Sequence, residues 1–363
     1  MKTLKTISSI LLLVCSIFLF ASWQYRFLCL LLVVIINRRT IKQSSVFRNF
    51  KYGYTILVAV LLVGIFCCMP NYFQRGRTQL HYLNQSGERT HTPVLVYLAN
   101  AIMPEKEAMN LCVKGNALVS NSLMNKMGVH LGGKLLNDAK YDFWHGKTLG
   151  FYTAYYHIGG NPGSFVYGQI ANMLIGTDYD AVYITRPKHY DKNKEYPVIF
   201  FCHGYMGSWE LYQGILSQLD EYIIVSIGTR GLDGLSFKID NIFNRYIPYI
   251  QKLGYNIDTR QVHIMGLSNG GQAANSALKN YDKKFKTITF ISTPCYVIKS
   301  SAAKVLMIGG GKDGSSTGLK NAEKKLNSLG TQTALYFDKQ ANHYILAYKQ
   351  KDIIKFLKEN LKD

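Results

Sequence analysis

The first seventy residues contain no aspartate and no glutamate, in a chain of 42 basic and 22 acidic residues with a formal net charge of +20. Lys2, Lys5, Arg26, Arg38, Arg39, Lys42, Arg48 and Lys51 therefore stand uncompensated there. Such a surplus suits segments that flank a membrane, or that face anionic lipid, better than nucleic acid. No basic helix interleaved with aromatics accompanies it, so no nucleic-acid partner is expected. Cysteine is scarce outside apolar runs. Cys15, Cys29, Cys67 and Cys68 lie within such runs, leaving Cys112, Cys202 and Cys295. With no CxxC spacing and no His/Cys cluster, neither a disulfide framework nor a metal site is expected. Repeats and low-complexity tracts are absent too, and 363 residues are enough for one sizeable core with added elements.

Apolar runs, by contrast, are plentiful at the start: Ile7–Ala21, Phe27–Ile36 and Thr55–Met69. The third, extended through Tyr54 and Phe73, has the roughly 20 residues of one bilayer span. Tyr52, Tyr54, Tyr72 and Phe73 stand at its ends, where interfacial aromatics belong. A buried helix of a globular core would show an apolar stripe rather than apolarity all round. Between the first two runs, Trp23, Tyr25 and Arg26 prefer an interface, since a charge at mid-membrane costs roughly 2.5–3.5 kcal/mol. Two short spans turning near Trp23–Arg26 are therefore expected. A single tilted span and a signal peptide cleaved near Ala21 are the alternatives. The basic loop 37–53 predicts a cytoplasmic face there and places the remainder of the chain on the extracytoplasmic side. Residues 1–73 thus read as a membrane anchor of two or three transmembrane segments.

Residues 74–140 read as a linker and a peripheral helical extension, with helix-compatible patches at Glu105–Val113 and Leu118–Met127. Residues 141–170 alternate aromatics with glycine and read as strand-like runs separated by turns. From 179 the pattern sharpens. Strands are expected at 179–185, 198–204, 222–228, 261–266, 286–292, 304–310 and 333–338. Helices are expected at 209–219, 240–253, 270–280, 317–329 and 344–361. That alternation predicts a mostly parallel sheet covered by helices on both faces, and a catalytic domain over 141–363.

Within it, "GLSNG" (266–270) joins the strand "QVHIMG" to the helix "NGGQAANSALKN". A glycine on either side of Ser268 permits a sharp strand-to-helix turn that projects the hydroxyl, as a nucleophile elbow requires. A serine hydroxyl needs an imidazole to take its proton. His343, in "QANHYIL" between the last strand and the last helix, is placed for that, whereas His263 should point into the sheet's packing. An acid to orient the imidazole is offered by Asp313 in "GGGKDG"; Asp338 is its competitor. Asn269, the residue after the nucleophile, and Tyr205, after His203-Gly204, can each present a backbone N–H to an oxyanion. Gly204, Gly266 and Gly270 would let those turns approach closely, and His203 supports the first of them.

The stretches "YPVIFFCHGYMGSWELY" and "NIDTRQVHIMGLSNGG" resemble the α/β-hydrolase superfamily, over about 179–363. They are similar to its dienelactone-hydrolase, platelet-activating-factor-acetylhydrolase and polyhydroxyalkanoate-depolymerase-like branch. The resemblance implies an α/β-hydrolase fold with Ser268 as nucleophile, His343 as base, Asp313 as acid, and Tyr205 and Asn269 as oxyanion donors. A serine in place of the dienelactone hydrolase's cysteine argues against that activity. The acetylhydrolases' acid position falls here in "ISTPCYV", which has no carboxylate. The expected function is a membrane-anchored serine hydrolase cleaving the carboxylic ester of a small or lipid-like substrate, without a cofactor. An acyltransferase or peptidase on the same triad, and a non-catalytic binding module of hydrolase fold, are the alternatives.

Overall fold

The computed structural model describes residues 2–50, 52–68, 76–91, 94–118, 130–158, 170, 174, 179–205, 209–228 and 238–362. Its strands are β1 (Thr78–Leu83), β2 (Arg89–Thr90), β3 (Asp180–Thr185), β4 (Tyr196–Cys202), β5 (Ile223–Gly228), β6 (Ile257–Leu267), β7 (Thr287–Ile291), β8 (Lys304–Gly310) and β9 (Thr333–Asp338). They form one sheet in the order β2-β1-β3-β5-β4-β6-β7-β8-β9. From β5 to β9 every pairing is parallel; β1, β2 and β3 add antiparallel ones. This mixed, mostly parallel sheet with helices on both faces is an α/β-hydrolase fold.

Period-two geometry divides each strand between two cores. In β4, Val198, Phe200 and Cys202 enter one core, packed with the helices Gly271–Asn280 and Leu319–Ser328. Ile199 and Phe201 enter the other, packed with Glu210–Leu216 and Gln350–Asn360. Both sets are apolar, which is why these strands read as continuous runs rather than alternating ones.

Three expectations need correction. Among the described residues no helix is long and apolar enough to cross a membrane. The apolar runs fold as Lys2–Val14 (13 residues), a five-residue π turn Cys15–Leu19, Trp23–Ile36 (14) and Gly53–Cys67 (15). At 1.5 Å per residue the longest α-helix reaches roughly 22 Å, and the continuous run Lys2–Leu19 no more than about 27 Å, against about 30 Å of hydrocarbon. The transmembrane helices, the integral membrane anchor as a partner and the extracytoplasmic placement derived from them are thereby overturned. Counting apolar residues took no account of where each helix ends; Met69 to Phe73, which completed the expected third span, lie outside the described residues.

Second, residues 76–118 are more than linker and helix. Thr78–Leu83 pairs along its whole length with β3, from Thr78↔Thr185 to Leu83↔Asp180. The patch Glu105–Val113 is helical, within Glu105–Leu118, while the one at 118–127 lies beyond Leu118 outside the described residues. Third, the aromatic segment after 141 is helix and turn rather than strand where described, with helices His130–Trp144 and Leu149–Ala154. Phe151, Ala154 and Tyr155 bury their side chains against the helix Glu210–Leu216, so helix packing overrides the strand propensity of the aromatics.

The turn at Phe20–Ser22 docks on the helix Glu105–Leu118. The Glu107 carboxylate accepts the N–H groups of Ala21 (3.0 Å) and Ser22 (2.7 Å), at the start of the helix Trp23–Ile36. Asn110 Nδ2 (2.7 Å) and Lys114 Nζ (3.0 Å) donate to the carbonyl of Leu19, where the preceding helical stretch ends. An anion meets an N-terminus and a cation a C-terminus, the sign that the dipole of each helix end favours.

Candidate active site

Because β4, β6, β7, β8 and β9 run parallel, the loops that follow them emerge along one edge of the sheet. Ser268 follows β6 directly, with φ at 51°, in the left-handed region that non-glycine residues seldom occupy. Its neighbours explain the glycines. A Cβ on Gly266 would collide with the Gly270 carbonyl, and one on Gly270 with the carbonyls of Cys202 and His203. The elbow therefore packs backbone to backbone against the end of β4.

Ser268 Oγ lies 2.9 Å from His343 Nε2. On the other side of the ring, His343 Nδ1 lies 3.2 Å from Asp313 Oδ2. A proton on Nδ1, facing the carboxylate, leaves the Nε2 lone pair facing the hydroxyl. Asp313 is 5 % exposed. Burial by itself raises a carboxyl pKa, but the hydrogen bond and charge of His343, with the hydroxyls of Ser315 and Ser316, outweigh it and hold Asp313 at about 2. Ser315 donates its N–H (3.1 Å) and Oγ (2.7 Å) to Oδ1, and Ser316 Oγ donates to Oδ2 at 2.7 Å.

Asp338 is occupied elsewhere. Its Oδ2 lies 3.2 Å from Lys349 Nζ and its Oδ1 accepts the Gln340 N–H. His263 is fully buried in β6, with Nδ1 2.8 Å from Thr287 Oγ1. At the end of β4, His203 is buried with Nδ1 2.6 Å from the Gly204 carbonyl. A Cβ on Gly204 would stand 3.1 Å from Ser268 Cβ, so this backbone passes directly over the serine. Tyr205 follows with an exposed side chain, and Asn269 forms the turn after Ser268. The structure thus brings Ser268, His343 and Asp313 into one hydrogen-bonded chain and sets the 203–205 and 269–270 turns beside it.

Several residues in the neighbourhood escaped sequence reasoning. Ser315 and Ser316 carried a signal: Asp followed by Ser two and three positions later is a capping pattern, and Asp313 caps the short turn Gly314–Ser316. Asn342 carried none. Its Nδ2 donates to Asp142 Oδ2 at 2.8 Å, and its N–H to Tyr348 Oη at 2.7 Å, fastening the His343 loop to the helix His130–Trp144. Among the described residues, no group of three His, Cys, Asp or Glu side chains is placed to hold a metal.

No protein-family model matches the chain, and no curated protein matches it. Solved structures of similar shape include the acylaminoacyl peptidase of Pyrococcus horikoshii (15% identity, TM-score 0.40, 51% of this chain and 40% of that one). They also include the dipeptidyl peptidase 4 of Porphyromonas gingivalis (16%, 0.38, 51% and 34%) and an S-formylglutathione hydrolase of Agrobacterium tumefaciens (14%, 0.39, 51% and 91%). The match thus spans well under two thirds of either peptidase. Likeness at this level concerns the shape of about half the chain, and the chemistry of the site rests on its own geometry.

Proposed function

We propose that this chain is a serine hydrolase that cleaves acyl bonds through an acyl-enzyme on Ser268. The observation that carries the reading is the alignment of one imidazole between a serine hydroxyl at 2.9 Å and a buried carboxylate at 3.2 Å. As the Ser268 oxygen bonds to the substrate's carbonyl carbon, its proton passes to His343 Nε2, and Asp313 stabilises the imidazolium. The carbonyl oxygen gathers negative charge near the N–H groups of Asn269 and Tyr205. Collapse of the tetrahedral intermediate breaks the bond to the leaving group, which takes the proton from His343. Water then repeats the sequence and frees the acid and the serine. The leaving group is an amine for a peptide and an alcohol for an ester, and both run through the same atoms. On this reading Ser268 stands where the dienelactone-hydrolase branch, which the chain resembles, has its cysteine.

A fluorophosphonate probe tests the chemistry and a paired panel tests the substrate. The probe should label the parent on Ser268 and leave Ser268→Ala and His343→Ala unlabelled. Amino-acid and peptide p-nitroanilides set against p-nitrophenyl esters of graded chain length then separate peptidase from esterase. An unlabelled parent, or a Ser268→Ala variant that hydrolyses activated esters at the parental rate, would sink the reading.

A further inference from the structure

Besides Ser268, one other non-glycine among the described residues has a positive φ: Ser292, at 48°. It is fully buried at the end of β7, the strand between the one that carries Ser268 and the one that leads to Asp313. A left-handed serine costs free energy, and a buried one persists only where its surroundings hold it. The question is what that conformation provides.

The hydrogen bonds answer it. The Ser292 N–H still donates to the Ile308 carbonyl at 2.9 Å, so the ladder with β8 continues up to this residue. In a continuing parallel ladder the Ser292 carbonyl would turn to the N–H of Gly310. The positive φ swings it out instead, to 2.9 Å from Ser315 Oγ, whose single proton it shares with Asp313 Oδ1 at 2.7 Å. Ser315 is the residue that holds Asp313 Oδ1 through both its N–H and its hydroxyl, and its Oγ lies 3.4 Å from His343 Nδ1. The side chain of Ser292 points the other way and donates to the backbone carbonyl of His343 at 3.1 Å. One residue therefore holds the acid loop by its carbonyl and the base loop by its hydroxyl. Those loops follow different strands and have no covalent reason to keep a fixed separation.

We infer that Ser292 is a positioning residue that sets the spacing of His343 and Asp313, and that its left-handed backbone exists to serve both loops at once. The inference rests on the reading of Ser268, His343 and Asp313 as the reacting chain. It separates two properties that packing alone would move together. Glycine at 292 removes the hydroxyl and the backbone cost; alanine removes the hydroxyl and keeps the cost.

Ser292→Gly and Ser292→Ala are compared with the parent in kcat and KM on p-nitrophenyl acetate, in the rate of fluorophosphonate labelling, and in melting temperature. Both variants should lose about ten- to a hundred-fold in kcat and in labelling rate, the size expected when a reacting group is displaced by a fraction of an ångström to one ångström. KM should change little. The melting temperature should fall for alanine and stay level or rise for glycine. A glycine variant with parental kcat, or a kcat loss that follows melting temperature in both variants, overturns the inference while the labelled parent keeps the triad reading. A parent that the probe does not label on Ser268 overturns the triad reading and this inference with it.

Discussion

Residues 179–362 and residues 2–67 draw on much the same apolar residues and use them differently. In the sheet, Phe200, Phe201, Ile264, Phe290 and Ile308 are fully buried, because crossover helices cover both faces of parallel strands. In the opening helices, Ile7, Leu11, Phe18, Val60, Val63 and Phe66 are exposed. There the covered side is local: Gly64 lies so close to the ring of Phe27 that a Cβ would stand 3.2 Å from it, and Asn37 Nδ2 reaches Ser9 Oγ at 2.7 Å. A helix buries only the stripe its partner reaches. Apolarity all round is thus a statement about composition, and helix length decides whether a bilayer can be crossed.

The sharpest way to break the comparison is to damage each region and see which property moves. In the sheet half, the largest effect after loss of Ser268 itself is expected from Asp313→Asn. It preserves shape and lets the wrong imidazole tautomer form, a change worth about 10⁴ in turnover in a well-studied triad. Asp338→Asn should lower turnover by less than about threefold, since its carboxylate faces Lys349 rather than His343, and an exposed or half-exposed pair contributes little. Turnover of both variants on one ester decides the assignment; a crippled Asp338→Asn would reverse it. The same substitution has a stability signature. Asp313 sits below its ordinary 3.8, at about 2, so its contribution is present above pH 3.8 and is lost as pH falls toward 2. Acid unfolding of Asp313→Asn should lack that component, which a pH series of denaturant melts will register.

Next in size is Gly204→Val. Its side chain would enter the space beside Ser268 Cβ and displace the turn that presents Tyr205, with a loss of roughly 10²–10³ in turnover expected for a missing oxyanion donor. Melting temperature should fall much less. Equal loss of both would assign this glycine to packing.

The smallest effect on turnover, and a clear one on stability, belongs to the opening helices. Glu107→Ala strips the acceptor from the Ala21 and Ser22 N–H groups and from Asn110 Nδ2. Leaving such donors unpaired costs about 1–3 kcal/mol. Denaturant unfolding should show that loss while turnover stays within about twofold of the parent. A turnover loss as large as that of Gly204→Val would mean the opening helices shape the site.

What was legible in the sequence followed from locality. The strands from β3 onward stood out as short apolar runs bounded by turn residues, and Ser268, Asp313 and His343 stood out because an elbow and two loop positions carry their own signatures. β1, "TQLHYL", mixes polar and apolar residues and lies far along the chain from its partner β3, so no local pattern announced it. The aromatic run after 141 matched strand propensity, and only the surface of Glu210–Leu216 made it helical.

The sequence by itself determined the alternation of strands and helices in the second half and offered the residue types of the proposed serine triad. Periodicity and turn chemistry are properties of neighbouring residues, so a single chain displays them. The tertiary structure alone decided that β1 joins the sheet and that the opening helices stop short of a bilayer span. It also decided that Ser292 and Asn342 hold the loops around His343 and Asp313. Each of these depends on a partner distant along the chain, and backbone hydrogen bonds, buried charge and close packing select among candidates only once that partner is in place.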